Sequence, residues 1–293
     1  MSTRNLLNKF TGVSLGAALA AVLALHGCAV TPPDANPNRA QALAINLNQR
    51  AGKAFEQGDY PRAKAYYEQA LSLDASIENA DGVAINAISL ARVHQALGQM
   101  PTAHRYLDRV LEDQPLKPSR NRQAEAATRK GQLYLAVDDL LKAEQWFTRA
   151  QELCTQCPAL PAILNLRARV ALARSDNDAA VSWASQALSA SGSDDARIER
   201  ANANRVLGEA RIARGEFVAA ANNLRQALEL DQALGLAGRI YLDLMQLGKA
   251  YARQGQRGQA KEFFGRALEV AGASENREGA RAAQLEIDRL ASQ

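Results

Sequence analysis

GDYPRAKAYYEQALSL, residues 58–73, is the stretch on which the fold turns. Glycine supplies the left-handed backbone that stops one helix, and the aspartate after it suits the start of the next. Ala63, Tyr67, Ala70 and Leu71 then fall at helical spacing on one face, the face that must bury. The same text returns as GQMPTAHRYLDRVL at 98–111 and as GQRGQAKEFFGRAL at 255–268. Alanine recurs at 63, 103, 143, 180, 220 and 260. Upstream of each copy a second small residue recurs, at Ala51, Ala91, Gly131, Ala168, Gly208 and Gly248, where it allows close approach of a preceding helix. One helical hairpin is thus written six times, and stacked hairpins make an α-solenoid whose units pack only on their neighbours.

The spacing resembles that of the tetratricopeptide repeat, over about residues 41–273. Gly131-x2-Tyr134 and Leu247-Gly248-x2-Tyr251 carry the family's first-helix signature best. The resemblance implies an all-α, right-handed solenoid of about six hairpins. Successive alanines lie 40, 40, 37, 40 and 40 apart, longer than the family's common period, so first helices longer by one to two turns are expected. Asp138 and Ser175 stand where other copies have glycine. Residues 274–293 place Ala280, Ala283, Ile287 and Leu290 on one face, which reads as a capping helix.

The front of the chain has another character. Arg4 and Lys9 precede an uncharged apolar run, Thr11 to Leu25, the pattern of a signal peptide over residues 1–27. Leu25-His26-Gly27-Cys28 resembles the lipobox of bacterial lipoproteins, with His26 as the departure. The resemblance implies cleavage before Cys28 and acylation of that cysteine, with two or more chains giving a stable anchor. Ala29, in place of aspartate, implies the outer membrane of a Gram-negative bacterium and its periplasmic face. Residues 28–40 are rich in Pro and Asn and read as a tether reaching at most ~40 Å.

Without Arg4 and Lys9 the 35 basic residues become 33, against 31 acidic. That near balance argues against nucleic acid, which needs a concentrated basic face. The histidines that follow the signal, His94 and His104, lack companions for a metal site, and no phosphate loop or zinc-protease motif is present. Asp176-Asn177-Asp178 reads as a helix stop and cap. No catalytic residue, metal, cofactor or small-molecule substrate is expected, and the chain reads as no enzyme. Cys154-x2-Cys157 is the one motif with chemical potential. In an oxidising compartment the pair is expected to close a short disulfide at the junction of the third and fourth units, and a thiol–disulfide activity is the other reading.

Family members usually bind along the concave wall made by first helices. The residues out of phase with the small packing positions there are Asn48, Phe55, Arg92, Gln95, Gln132, Asn165, Arg169, Asn202, Arg205, Glu209, Lys249 and Arg253. Basic groups outnumber acids in that set, which suits extended or helical segments of acidic character. Tyr66, Tyr106, Trp146, Trp183 and Phe263 form a second stripe, read as cover for neighbouring helices. The expected function is a protein–protein adaptor in envelope biogenesis, similar in plan to repeat lipoproteins of pilus, outer-membrane assembly or peptidoglycan machinery. Its expected partners are other envelope proteins through the groove and the membrane through the lipid. An inner-membrane anchor on an uncleaved N-terminus is the remaining alternative.

Overall fold

The computed structural model describes residues 37–112, 115–154, 157–192 and 196–292. The expected signal peptide, Cys28 and most of the expected tether lie outside them. Every regular element among the described residues is helical. The six hairpins are α1 (Pro37–Glu56) with α2 (Tyr60–Ser76), α3 (Ala80–Ala96) with α4 (Met100–Leu111), and α5 (Arg120–Ala136) with α6 (Leu140–Leu153). They continue as α7 (Leu160–Ala173) with α8 (Asn177–Ala190), α9 (Arg197–Ala213) with α10 (Phe217–Ala233), and α11 (Ala237–Arg253) with α12 (Arg257–Ala273). The last element, α13 (Arg277–Ala291), lies against α12 and α11 as the capping face requires. Helix α1 starts at Pro37, inside the stretch expected as tether, because proline is well placed in a first turn where its missing N–H has no partner to lose.

Each hairpin turn is built from local chemistry. After α1 the Asp59 N–H donates to the Ala54 carbonyl at 2.9 Å, and the Asp59 carboxylate accepts from the Arg62 N–H at 3.2 Å. One residue thus closes the first helix and caps the second. Asp138 and Ser175 adopt the left-handed backbone expected of them, each at φ 60°. That conformation is costly for a residue with a Cβ, and a short polar side chain tolerates it best. Asp176 caps α8 by accepting from the Ala179 N–H at 3.1 Å.

The extra length of the repeat is not confined to first helices, as the period alone suggests. Both helices have 17 residues in the fifth and sixth hairpins, whereas in the second, third and fourth the second helix is shorter and a loop makes up the difference. Tight turns at Glu78, Gly235 and Glu275, all at positive φ, let a long second helix pass directly into the next element. The single short interval comes from α7, which has 14 residues against 17 in α3, α5, α9 and α11.

All six recurring alanines, from Ala63 to Ala260, are fully buried. The small first-helix positions face the second helix of the same hairpin, and the volumes complement each other. A Cβ placed on Gly131, Gly208 or Gly248 would lie 2.5, 2.4 and 2.5 Å from Phe147, Leu224 and Phe264 respectively. Ala168, by contrast, is matched by the small Ala184 in its own hairpin. In an open helix Gly→Ala gains about 0.8–1 kcal/mol. Gly248→Ala is expected to lower stability despite that gain, because overpacking against Phe264 costs about 1–3 kcal/mol. Gly265→Ala on α12, where a Cβ meets nothing within 4 Å, is expected to raise it by close to the full helix preference. Paired thermal melts check both, and equal shifts would remove the close-approach explanation.

Candidate functional site

First helices of successive hairpins touch one another along the stack, whereas no second helix packs comparably on the next second helix. The stack therefore curves towards its first helices, and their outward faces form the inner wall. Positions directly after the small packing residues run along it as Gly52, Arg92, Gln132, Arg169, Glu209 and Lys249. Arg92, Arg169, Lys249 and Arg253 are exposed, and no carboxylate lies within ion-pair distance of them among the described residues. Gln95 and Gln132 are half-buried. Arg92 lies over the Phe55 ring, 4.9 Å from its centroid. Two hollows deepen the wall, one of about 420 Å³ between α1 and α3 and one of about 180 Å³ between α3 and α5.

Four of the residues expected on this wall are committed elsewhere. Asn48 donates to Asn86 at 2.7 Å, and Asn86 donates to Asp74 at 2.8 Å. Asn165 is buried and donates to the backbone carbonyl of Glu199 at 2.9 Å and its carboxylate at 2.7 Å. Arg205 binds Asp243 at 2.7 Å and also pairs with Asp231. Asn202 accepts from Arg239 at 2.5 Å and donates to Glu199 at 3.1 Å. The physical reason is reach. A first-helix side chain beside the seam can cross to the next repeat, and a buried acceptor there is costly unless it is met.

These ties share a register. Asp74, Cys154 and Asp231 occupy the same place at the end of second helices, and Asn86 and Asp243 the same place on the first helices that follow. The first junction is thus held by amides on one carboxylate, and the last by two carboxylates on Arg205 and Arg239. Arg239 pairs with Asp231 at 3.0 Å. Asp231 and Asp243 are fully buried. Burial pushes the Asp243 carboxyl up to about 7, Arg205 opposes the shift, and Asp231 adds to it. Burial also works against the charge of Arg205, but the two carboxylates outweigh it and hold that guanidinium above its usual range. Glu209, on the inner wall, is raised by burial, with Arg205, Lys249 and Arg169 partly offsetting it.

At the middle junction Cys154 and Cys157 are joined by a disulfide, with Cα atoms 5.1 Å apart. They pack with Leu153, Ile163, Ala124 and Ala127 and are almost wholly buried. A covalent tie stands where the outer junctions have hydrogen-bonded carboxylates.

Three rings of the aromatic stripe are covered by first-helix cations. Arg50 lies over Tyr66 at 4.3 Å, Lys130 over Trp146 at 4.4 Å and Arg167 over Trp183 at 3.8 Å, each cation at the same first-helix position of its hairpin. Stacking of this kind seals the ring against the helix beside it. His94 is buried, stacks on Tyr106 and shares a 2.6 Å hydrogen bond with Gln99, while His104 packs on Tyr134. Among the described residues no three of His, Cys, Asp or Glu converge to hold a metal, and no helix is long and apolar enough to cross a membrane.

Period reading alone passed over Arg129, Ser89, Ile45 and Ile85, which line the two hollows. Gln49, Ser89 and Arg129 share one place in the repeat, as do Ile45 and Ile85, so the register held the signal.

The tetratricopeptide-repeat family profile matches residues 42–114, and a second profile of the same description matches 244–273. No curated protein sequence matches the chain. Among solved structures the apo form of RapI is 13% identical over 85% of this chain and 71% of its own, with a TM-score of 0.66. PilW, described as a widely conserved type IV pilus biogenesis factor, is 16% identical over 82% of this chain and 98% of its own, with a TM-score of 0.62. Pseudomonas aeruginosa pilF gives 17%, 85%, 99% and 0.60 for the same measures. At these identities the likeness is one of fold, and that fold is typically a non-catalytic scaffold for protein interactions. Residues 42–114 and 244–273 are thus tetratricopeptide repeats, and the hairpins between them keep the same register.

Proposed function

We propose that the chain is a lipid-anchored adaptor that holds envelope proteins along the inner wall of its solenoid, at the periplasmic face of an outer membrane. The observation that carries the adaptor role is the row of exposed cations, Arg92, Arg169, Lys249 and Arg253, on a wall built from rigid helices, where the nearby acid, the half-buried Glu209 beside Arg169 and Lys249, forms no ion pair within 4 Å with them. Such a row attracts acidic polypeptide segments and orients them along the stack. The anchor rests on Leu25-His26-Gly27-Cys28 and on the apolar run before it. Pilus biogenesis is one setting, in keeping with the fold shared with PilW, and outer-membrane assembly and peptidoglycan synthesis are the alternatives within the same reading. The near-complete burial of Cys154 and Cys157 weighs against a thiol-exchange role, since exchange needs an accessible sulfur.

Cys28→Ala separates anchor from scaffold. It is expected to release a folded chain into the soluble periplasmic fraction, while the unaltered chain sediments with outer membranes. Continued sedimentation of the variant would show that Cys28 is not the tether. For the scaffold, a photo-crosslinker at Arg169, which is exposed, is expected to capture an envelope protein in intact cells. Labelling at Arg169 that yields no protein adduct would remove the adaptor reading.

A further inference from the structure

We propose that the hollow between α3 and α5 anchors one acidic side chain, an aspartate or glutamate of a polypeptide lying along the inner wall, between Arg92 and Arg129. The proposal rests on the adaptor reading of that wall and names the feature the partner must carry. Arg129 lines the hollow and is half-buried, yet no carboxylate lies within ion-pair distance of it among the described residues. The acid closest in sequence, Glu125, is taken by Arg122 at 2.8 Å. A second guanidinium, Arg92, stands near enough to repel it. Burial first, and then that repulsion, presses Arg129 down to about 10, with Glu125 offsetting only part. A half-buried cation facing another cation is unfavourable for folding alone. An anion between the two relieves both costs at once.

The shape of the hollow selects the kind of anion. Its volume is about 180 Å³, enough for one side chain and not for a folded surface. Ser89 and Gln132 add polar groups and Ile85 and Ile88 give an apolar flank, while Glu125, which also lines the hollow, is held by Arg122. The apolar flank favours an acidic residue with an aliphatic neighbour over a freely hydrated ion. The hollow also opens onto the wall, so a chain can continue past it in both directions. Arg–carboxylate contacts are strong and geometrically selective, and the two guanidiniums present donors from adjacent helices.

The test is fluorescence anisotropy of fluorescein-labelled hexaglutamate with the full-length chain in detergent micelles, at low and physiological salt. Arg129→Met is expected to weaken binding by about tenfold or more, as loss of a charged hydrogen bond implies. It is also expected to leave the Tm unchanged or raise it by up to about 3 °C, since a half-buried charge without an ion pair is removed. A purely structural arginine would lower the Tm instead. Arg92→Met, at an exposed position where folding is not at risk, is expected to weaken binding by several-fold, and Arg253→Ala by less than about twofold. Equal losses from all three variants would mean diffuse attraction and overturn the proposal. So would unaltered binding by Arg129→Met, or no binding by the unaltered chain. Failure of the adaptor reading is seen separately, as the absence of protein adducts at Arg169. Adducts that survive Arg129→Met would sink the anchor alone.

Discussion

Phe147→Ala is expected to cost the central repeats about 3–5 kcal/mol, the upper part of the range for emptying a buried aromatic site. Phe147 is fully buried and packs with Ala143, Leu166 and Val170. Its ring fills the space that Gly131 leaves, and a glycine has no side chain to move into the void. Neighbouring helices would have to shift bodily, which their caps and turns resist, so the cavity persists. In a solenoid each hairpin is stabilised by its neighbours alone, and a weak central unit uncouples the two ends. Urea unfolding followed by tryptophan fluorescence and by far-UV circular dichroism checks this. Both tryptophans, Trp146 and Trp183, belong to the third and fourth hairpins, so the fluorescence transition of the variant should come at lower urea than the dichroism transition. Coincident transitions with a shift below about 1 kcal/mol would show that the array redistributes the loss.

Arg205→Leu is expected to be comparably severe, about 3–5 kcal/mol, for an electrostatic reason. The variant leaves Asp243 buried without its cation, while Asp231 keeps Arg239 at 3.0 Å. Breaking one side of a buried pair is worse than never having built it, because Asp243 must then either stay charged without water or partner or take up a proton, and it keeps a buried polar group unmet in both cases. The same cluster makes stability depend on pH. Asp243 takes up a proton in the folded state at about 7, well above its usual value of 3.8. Its favourable contribution is therefore complete below about pH 4 and is lost as pH rises through 7. The two carboxylates share one guanidinium, so the uptake belongs to the pair. Asp243→Asn, a neutral isostere, is expected to flatten this slope without unfolding the sixth hairpin. Urea midpoints at pH 5 and pH 7.5 measure it, and an unchanged slope in the variant would place the titrating group elsewhere.

The fold was legible in the sequence to an unusual depth because a repeat states its packing several times. Ala63 and its five counterparts, the Gly131–Phe147 type of pairing, and the left-handed turns at Asp138 and Ser175 all follow from register. The apportioning of the extra residues did not follow. A longer second helix with a tight turn and a shorter one with a loop give the same period, so the spacing of alanines cannot tell them apart.

The candidate surface was legible only in part. Arg92, Arg169, Lys249 and Arg253 stand on the inner wall where the helical face puts them. Asn48, Asn165, Asn202 and Arg205 occupy similar places in the pattern, yet they turn into the seams and are held there by hydrogen bonds to the next repeat.

The sequence by itself determined six stacked hairpins, their buried stripe and the places where the chain must turn, because those depend on spacing along one helix and on local backbone preference. Only the tertiary structure decided which polar side chains face a partner and which are consumed in holding the stack together. That choice depends on what the neighbouring repeat offers within about 3 Å, a distance that no period records.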